Sequence, residues 1–65
     1  MEYIYVMISG EWEDSIIFLN KTEAVEASVK HPMGRVEIFE KNDDSPGYSP
    51  TYSYYKNGVV YYFNR

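Results

Sequence analysis

The Asn57-Gly58 pair constrains this chain more than any other feature, because a two-residue type I′ turn needs positive φ at both central positions and few residue pairs tolerate that. On either side lie runs rich in strand formers, Thr51 to Lys56 and Val59 to Phe63. With Asn57 and Gly58 as the loop, Lys56 faces Val59, Tyr55 faces Val60, Tyr54 faces Tyr61, Ser53 faces Tyr62 and Tyr52 faces Phe63. Alternation puts Tyr52, Tyr54, Lys56, Val59, Tyr61 and Phe63 on one face of the hairpin and Ser53, Tyr55, Val60 and Tyr62 on the other. Neither face is polar, so the hairpin needs cover on both sides.

The rest of the chain must supply that cover. Residues Glu2 to Ser9 interleave Ile4, Val6 and Ile8 with Tyr3, Tyr5 and Met7, which reads as a strand apolar on both faces. Ser9-Gly10-Glu11-Trp12-Glu13-Asp14 is predicted to be a hairpin loop with Trp12 near its tip, and Ser15 to Leu19 returns as a short strand. Asn20 stands three positions before Glu23 in a capping-box arrangement, with Thr22 as a competing cap, so a helix begins there and runs to Lys30. Its apolar positions are Ala24, Val25, Ala27 and Val29, small enough for close approach to a sheet. His31-Pro32 ends it, because proline disfavours the helical conformation in the residue before it, and Gly34 supplies a turn. Arg35 to Lys41 is a strand with Val36 and Ile38 on its dry face and Glu37, Phe39 and Lys41 on the other. Residues 42–50, Asn-Asp-Asp-Ser-Pro-Gly-Tyr-Ser-Pro, have the composition of a long loop, mobile at its acidic end.

The predicted order is ββαβββ: one domain over residues 1–65, an α+β fold in which an antiparallel sheet of about five strands carries a single helix. One helix cannot cover both faces of such a sheet. Ring-bearing and aliphatic side chains on the second face must stay wet, be covered by the long loop, or be buried against another chain. The chain length sharpens the point, since 65 residues without cysteine have neither a disulfide nor thiolate ligation to offset the cost of ordering. Association with a second copy or a protein partner is therefore expected.

Composition narrows the chemistry. Six Lys plus Arg against ten Asp plus Glu give a formal charge of −4, which counts against general affinity for a phosphate backbone. A lone histidine and no cysteine argue against a transition-metal site, and Asn42-Asp43-Asp44-Ser45 lacks the ligand spacing of a calcium loop, so no metal and no cofactor is expected. His31 suits a favourable contact with the helix dipole better than a catalytic base. No nucleophile elbow, phosphate-binding glycine loop or HExxH motif is present, and the chain is read as a non-enzyme. The longest apolar run, Tyr3 to Ile8, is far shorter than the roughly 20 residues of a membrane-spanning helix. Glu2 stands where an export signal wants positive charge, so a soluble intracellular protein of cytoplasm or nucleus is expected.

Eight tyrosines dominate what remains. A tyrosine-covered sheet suits a protein interface, because tyrosine offers a large contact area with few rotatable bonds and a hydroxyl that tolerates water. It also suits base stacking, against which the scarcity of Lys and Arg beside the rings weighs, and the plain alternative is that tyrosine is a good strand former making cross-strand pairs. Tyr52, Tyr54, Tyr61 and Phe63 are the first candidate interface residues, with Tyr3 and Tyr5 next and Trp12 as an anchor between acids. Should the helix cover the face of Tyr54 and Tyr61, the contact shifts to Tyr55, Val60 and Tyr62.

The stretch Val36-Glu37-Ile38-Phe39-Glu40-Lys41, followed by Gly47-Tyr48-Ser49-Pro50-Thr51-Tyr52-Ser53-Tyr54-Tyr55-Lys56-Asn57-Gly58, resembles in texture the small tyrosine-rich proteins encoded by large DNA viruses of amoebae. The resemblance covers the second half of the chain, carries no site residues, and implies an accessory or virion-associated protein. The expected function is a protein-interaction module that self-associates, as a homodimer, through a tyrosine-rich sheet face. The alternatives are a single-stranded nucleic-acid binder stacking bases on the same rings, or an acidic decoy presenting Glu11, Glu13, Asp14, Asp43 and Asp44 to a nucleic-acid site.

Overall fold

A computed structural model describes residues 2–8 and 14–63. Five strands and one helix follow one another along the chain: β1 (Tyr3–Met7), β2 (Ile16–Phe18), α1 (Lys21–Lys30), β3 (Val36–Lys41), β4 (Tyr48–Lys56) and β5 (Val59–Tyr61). The strands form one antiparallel sheet in the order β2-β1-β3-β4-β5, so the fold is α+β. Trp12, with Glu11 and Glu13, lies outside the described residues.

The helix starts where its cap predicts. The Asn20 side-chain oxygen accepts hydrogen bonds from the backbone N–H groups of Thr22 (2.7 Å) and Glu23 (3.3 Å), satisfying two of the donors a helix N-terminus leaves over. At the other end the His31 N–H donates to the Ala27 carbonyl. The buried helical residues are Ala24, Ala27 and Ser28, with Val25 partly packed. Val29, expected on the dry side, is instead 52% exposed. Ser28 takes the buried position because its hydroxyl is used at both ends, donating to the Val25 carbonyl at 2.7 Å and accepting from the Gly58 N–H at 2.9 Å.

That second bond ties the helix to the tip of the C-terminal hairpin. Asn57 and Gly58 have φ of 51° and 80°, the left-handed values a type I′ turn requires. A Cβ at Gly58 would lie 2.9 Å from Val29 Cγ2, so the position needs glycine for backbone and for space. The register is Lys56 opposite Val59, Tyr55 opposite Val60 and Tyr54 opposite Tyr61. A row of side chains beneath the helix therefore crosses all five strands: Ile16, Met7, Val36, Tyr55 and Val60. Met7, Val36 and Tyr55 join Tyr5, Ile38, Ala24 and Ala27 in the core.

Strands β1, β2 and β3 are shorter than expected by one or two residues at an end, and two further boundaries differ in ways that bear on the site. Tyr48, Ser49 and Pro50, read as loop, open β4, with Pro50 paired to Phe39 and Ser49 to Glu40. Proline is tolerated because β5 pairs only with residues 54–56, leaving this end of β4 as a sheet edge where a missing N–H costs no ladder bond. The loop proper shortens to residues 42–47 and is organised by Asn42. Its Nδ2 donates to the Pro46 carbonyl at 3.1 Å, its Oδ1 accepts from Ser49 Oγ at 2.6 Å, and its N–H donates to the Gly47 carbonyl. The second difference is in β5, which ends at Tyr61 rather than Phe63, because β4 breaks register between Glu37 and Phe39 of β3. Tyr52, within the irregularity, has φ of 68°, a left-handed value that costs an ordinary side chain about 1–2 kcal/mol. Hydroxyls replace the interrupted ladder: Thr51 Oγ1 donates to the Ile38 carbonyl at 2.9 Å and accepts from the Ser53 N–H, while Ser53 Oγ accepts from the Phe63 N–H.

Candidate functional site

The helix packs over Tyr55 and its row, so alternation leaves Tyr54 and Tyr61 on the opposite face, which carries no helix. A row across this open face runs Ile17, Val6, Glu37, Tyr54, Tyr61, and a second runs Ile4, Phe39, Pro50. Tyr54 and Tyr61 are stacked, with ring centroids 5.3 Å apart and planes 17° from parallel. The Arg35 guanidinium lies 4.5 Å from the centre of the Tyr54 ring and its Nε is 2.6 Å from Glu37 Oε2, so one cation binds both a carboxylate and a ring face. Tyr52 and Phe63 form a second pair, 5.5 Å apart and tilted by 54°, with both residues more than half exposed.

Four of the candidate interface residues thus assemble into two ring pairs on the hairpin. Tyr5 does not join them: it lies beneath the helix, 8% exposed, its ring 6.2 Å from that of Tyr55. Burial raises the pKa of both phenols, and each feels the other or a neighbouring phenol as a lesser cause. Tyr3 shares the helix side with Tyr5 by alternation and is 40% exposed.

Charge on the open face is nearly balanced. Lys41 Nζ is 3.5 Å from Glu2 Oε1, Arg35 is paired with Glu37, and Lys56 stands on the same side as Tyr54. Among the described residues, three basic groups on this face meet two acidic ones, with Asp43 beside Glu2 and Lys41 at its edge. The described acids of the decoy reading do not gather: Asp14 precedes β2 at the Met7 end of the sheet, whereas Asp43 and Asp44 follow β3 at the Tyr3 end.

A second feature lies on the helix side. The ten-residue helix is about 15 Å long and covers the Met7 end of the sheet. Beyond it an open hollow of about 350 Å³ is lined by Tyr3, Tyr5, Tyr55, Tyr62, Ile38 and Glu40, with Thr51 and Ser53 at its β4 wall. The ring cluster was legible as tyrosine-rich strands, but the hollow was not, because its shape depends on where the helix stops and on the β4 irregularity. Among the described residues no cluster of three or more His, Cys, Asp or Glu stands ready to hold a metal ion, and no helix is long and apolar enough to cross a membrane. Comparisons with protein-family models, with curated proteins and with solved structures found no match to the chain.

Proposed function

We propose that the protein is a non-enzymatic interaction module that forms a homodimer by packing the open sheet face of one copy on that of another. The observation that carries this reading is a helix-free sheet face with apolar or ring side chains on all five strands, on which charge is nearly cancelled in an otherwise acidic chain. Two such faces can approach without the repulsion the rest of the surface would impose, and aligned sheet packing buries their side chains in a layer about 10 Å thick. Area points the same way. The chain exposes 5069 Å², whereas a monomer of 7.7 kDa is expected to expose about 4,300 Å². The excess, about 770 Å² over the whole surface, is close to the ~800 Å² each partner buries in a standard interface. The texture resemblance of the second half to small proteins of large DNA viruses supports an accessory or virion-associated setting for such a module.

Sedimentation velocity at micromolar concentration tests the proposal. A species of twice 7.7 kDa is expected for the natural chain, and a monomer with unchanged circular dichroism for the Tyr54→Ala, Tyr61→Ala double variant. A natural chain that stays monomeric up to about 100 μM, weaker than almost any functional dimer, would remove the reading. The nucleic-acid alternative gains Arg35, Lys41 and Lys56 on the ring-bearing face, but two of the three are paired with carboxylates and Tyr54 is already covered by Arg35 and Tyr61. Salt-sensitive quenching by a short single-stranded oligonucleotide would favour it instead.

A further inference from the structure

We propose that the helix-side hollow binds a quaternary ammonium group, as a site separate from the dimer face. Four tyrosines line it, two from β1, one from β4 and one from the chain beyond β5, and the rings of Tyr5 and Tyr55 meet at 49° with centroids 6.2 Å apart. Aromatic rings attract a cation without donating or accepting hydrogen bonds, and four of them bound this one hollow. Among the described residues that line the hollow, Glu40 carries the only formal charge, and it is negative. The volume of about 350 Å³ is at the small end of the range for ligand sites, fitting a compact headgroup rather than a nucleotide.

The chemistry selects among cations. A primary ammonium keeps three N–H donors that need acceptors, and besides the phenol oxygens the side-chain acceptors here are one carboxylate and the hydroxyls of Thr51 and Ser53, whose oxygens already serve the backbone. A methylated nitrogen has no such requirement, spreads its charge over carbon, and gains from ring faces what it lacks in hydrogen bonds. Lys21, at the start of the helix, acts on the Tyr5 hydroxyl without lining the hollow, so it opposes a bound cation weakly. Choline and Nε-trimethyllysine share the required group, and the site is defined by that group rather than by its carrier.

The test is an NMR titration of the full chain, following the tyrosine ring signals, with choline and with its neutral isostere 3,3-dimethyl-1-butanol. Choline is expected to shift the signals of Tyr3, Tyr5, Tyr55 and Tyr62 at millimolar concentration, and the neutral isostere to bind at least several-fold more weakly. Glu40→Gln and Tyr62→Ala should each weaken choline several-fold with circular dichroism unchanged, since Tyr62 is 78% exposed and contributes little to the core. Lys21→Ala should strengthen it slightly. Nε-trimethyllysine run in parallel should shift the same signals, its rank against choline identifying the carrier. Equal binding of the isostere would reduce the site to a plain apolar hollow. Absence of shifts up to about 50 mM choline, or shifts at Tyr54 and Tyr61 instead, would overturn the proposal. Because those two residues lie on the other face, the dimer can fail while this site stands, and the reverse.

Discussion

At the scale of single residues, the helix and the hairpin are joined through one hydroxyl and one glycine. Replacing Ser28 by alanine leaves the Gly58 N–H without its partner, and a cost of about 1–3 kcal/mol is expected in urea denaturation. Gly58→Ala combines a positive φ with a Cβ 2.9 Å from Val29 Cγ2, so a loss of at least about 1–2 kcal/mol is expected. Adding Val29→Ala should restore only the part due to the close contact; full recovery would show that backbone strain contributes nothing. The phenols of Tyr5 and Tyr55 give a pH signature. Their folded pKa values lie above the ordinary 10.0, so the folded chain holds protons that the unfolded chain has released. Their contribution is fully present below pH 10 and is lost as pH rises through the raised values. Stability measured across that alkaline range should fall, and Tyr5→Phe should make the fall shallower; an unchanged slope would show that burial does not hold the proton.

At the scale of elements, the signals that specified structure were those satisfied locally. Asn20 caps its own helix, and Asn57-Gly58 closes its own hairpin with the expected register at Tyr55 and Tyr54. Asn20→Ala is expected to cost about 1 kcal/mol, readable as a lowered melting temperature. What was not legible depended on distant partners. Ser28 is not among the apolar positions of the helix, and its burial depends on a donor thirty residues away at Gly58. Tyr48-Ser49-Pro50 looked like loop, since turn residues dominate it, yet it pairs with β3 because Asn42 folds the intervening segment back. Asn42→Ala removes both side-chain bonds of that brace. Faster amide hydrogen exchange is expected in residues 47–49, with Tyr54 and Tyr55 little changed, because these two are paired on both sides.

At the scale of the whole molecule, the imbalance between one helix and five strands was legible in the sequence, but the face left open was not. Alternation sorts the tyrosines into two sets without saying which set the helix meets, and the choice follows from the burial of Tyr55, Met7 and Val36 under Ala24 and Ala27. The outcome puts stacked Tyr54 and Tyr61, the Arg35–Glu37 pair and the aliphatic side chains of β1 and β2 on one surface. Isotope-filtered NMR on a sample mixing labelled and unlabelled chains tests most directly whether that surface meets its own copy. Cross-peaks between chains are expected from the rings of Tyr54 and Tyr61 to the methyl groups of Val6 and Ile17. Cross-peaks confined to helix residues, or none at concentrations where the sample sediments as a dimer, would contradict the account.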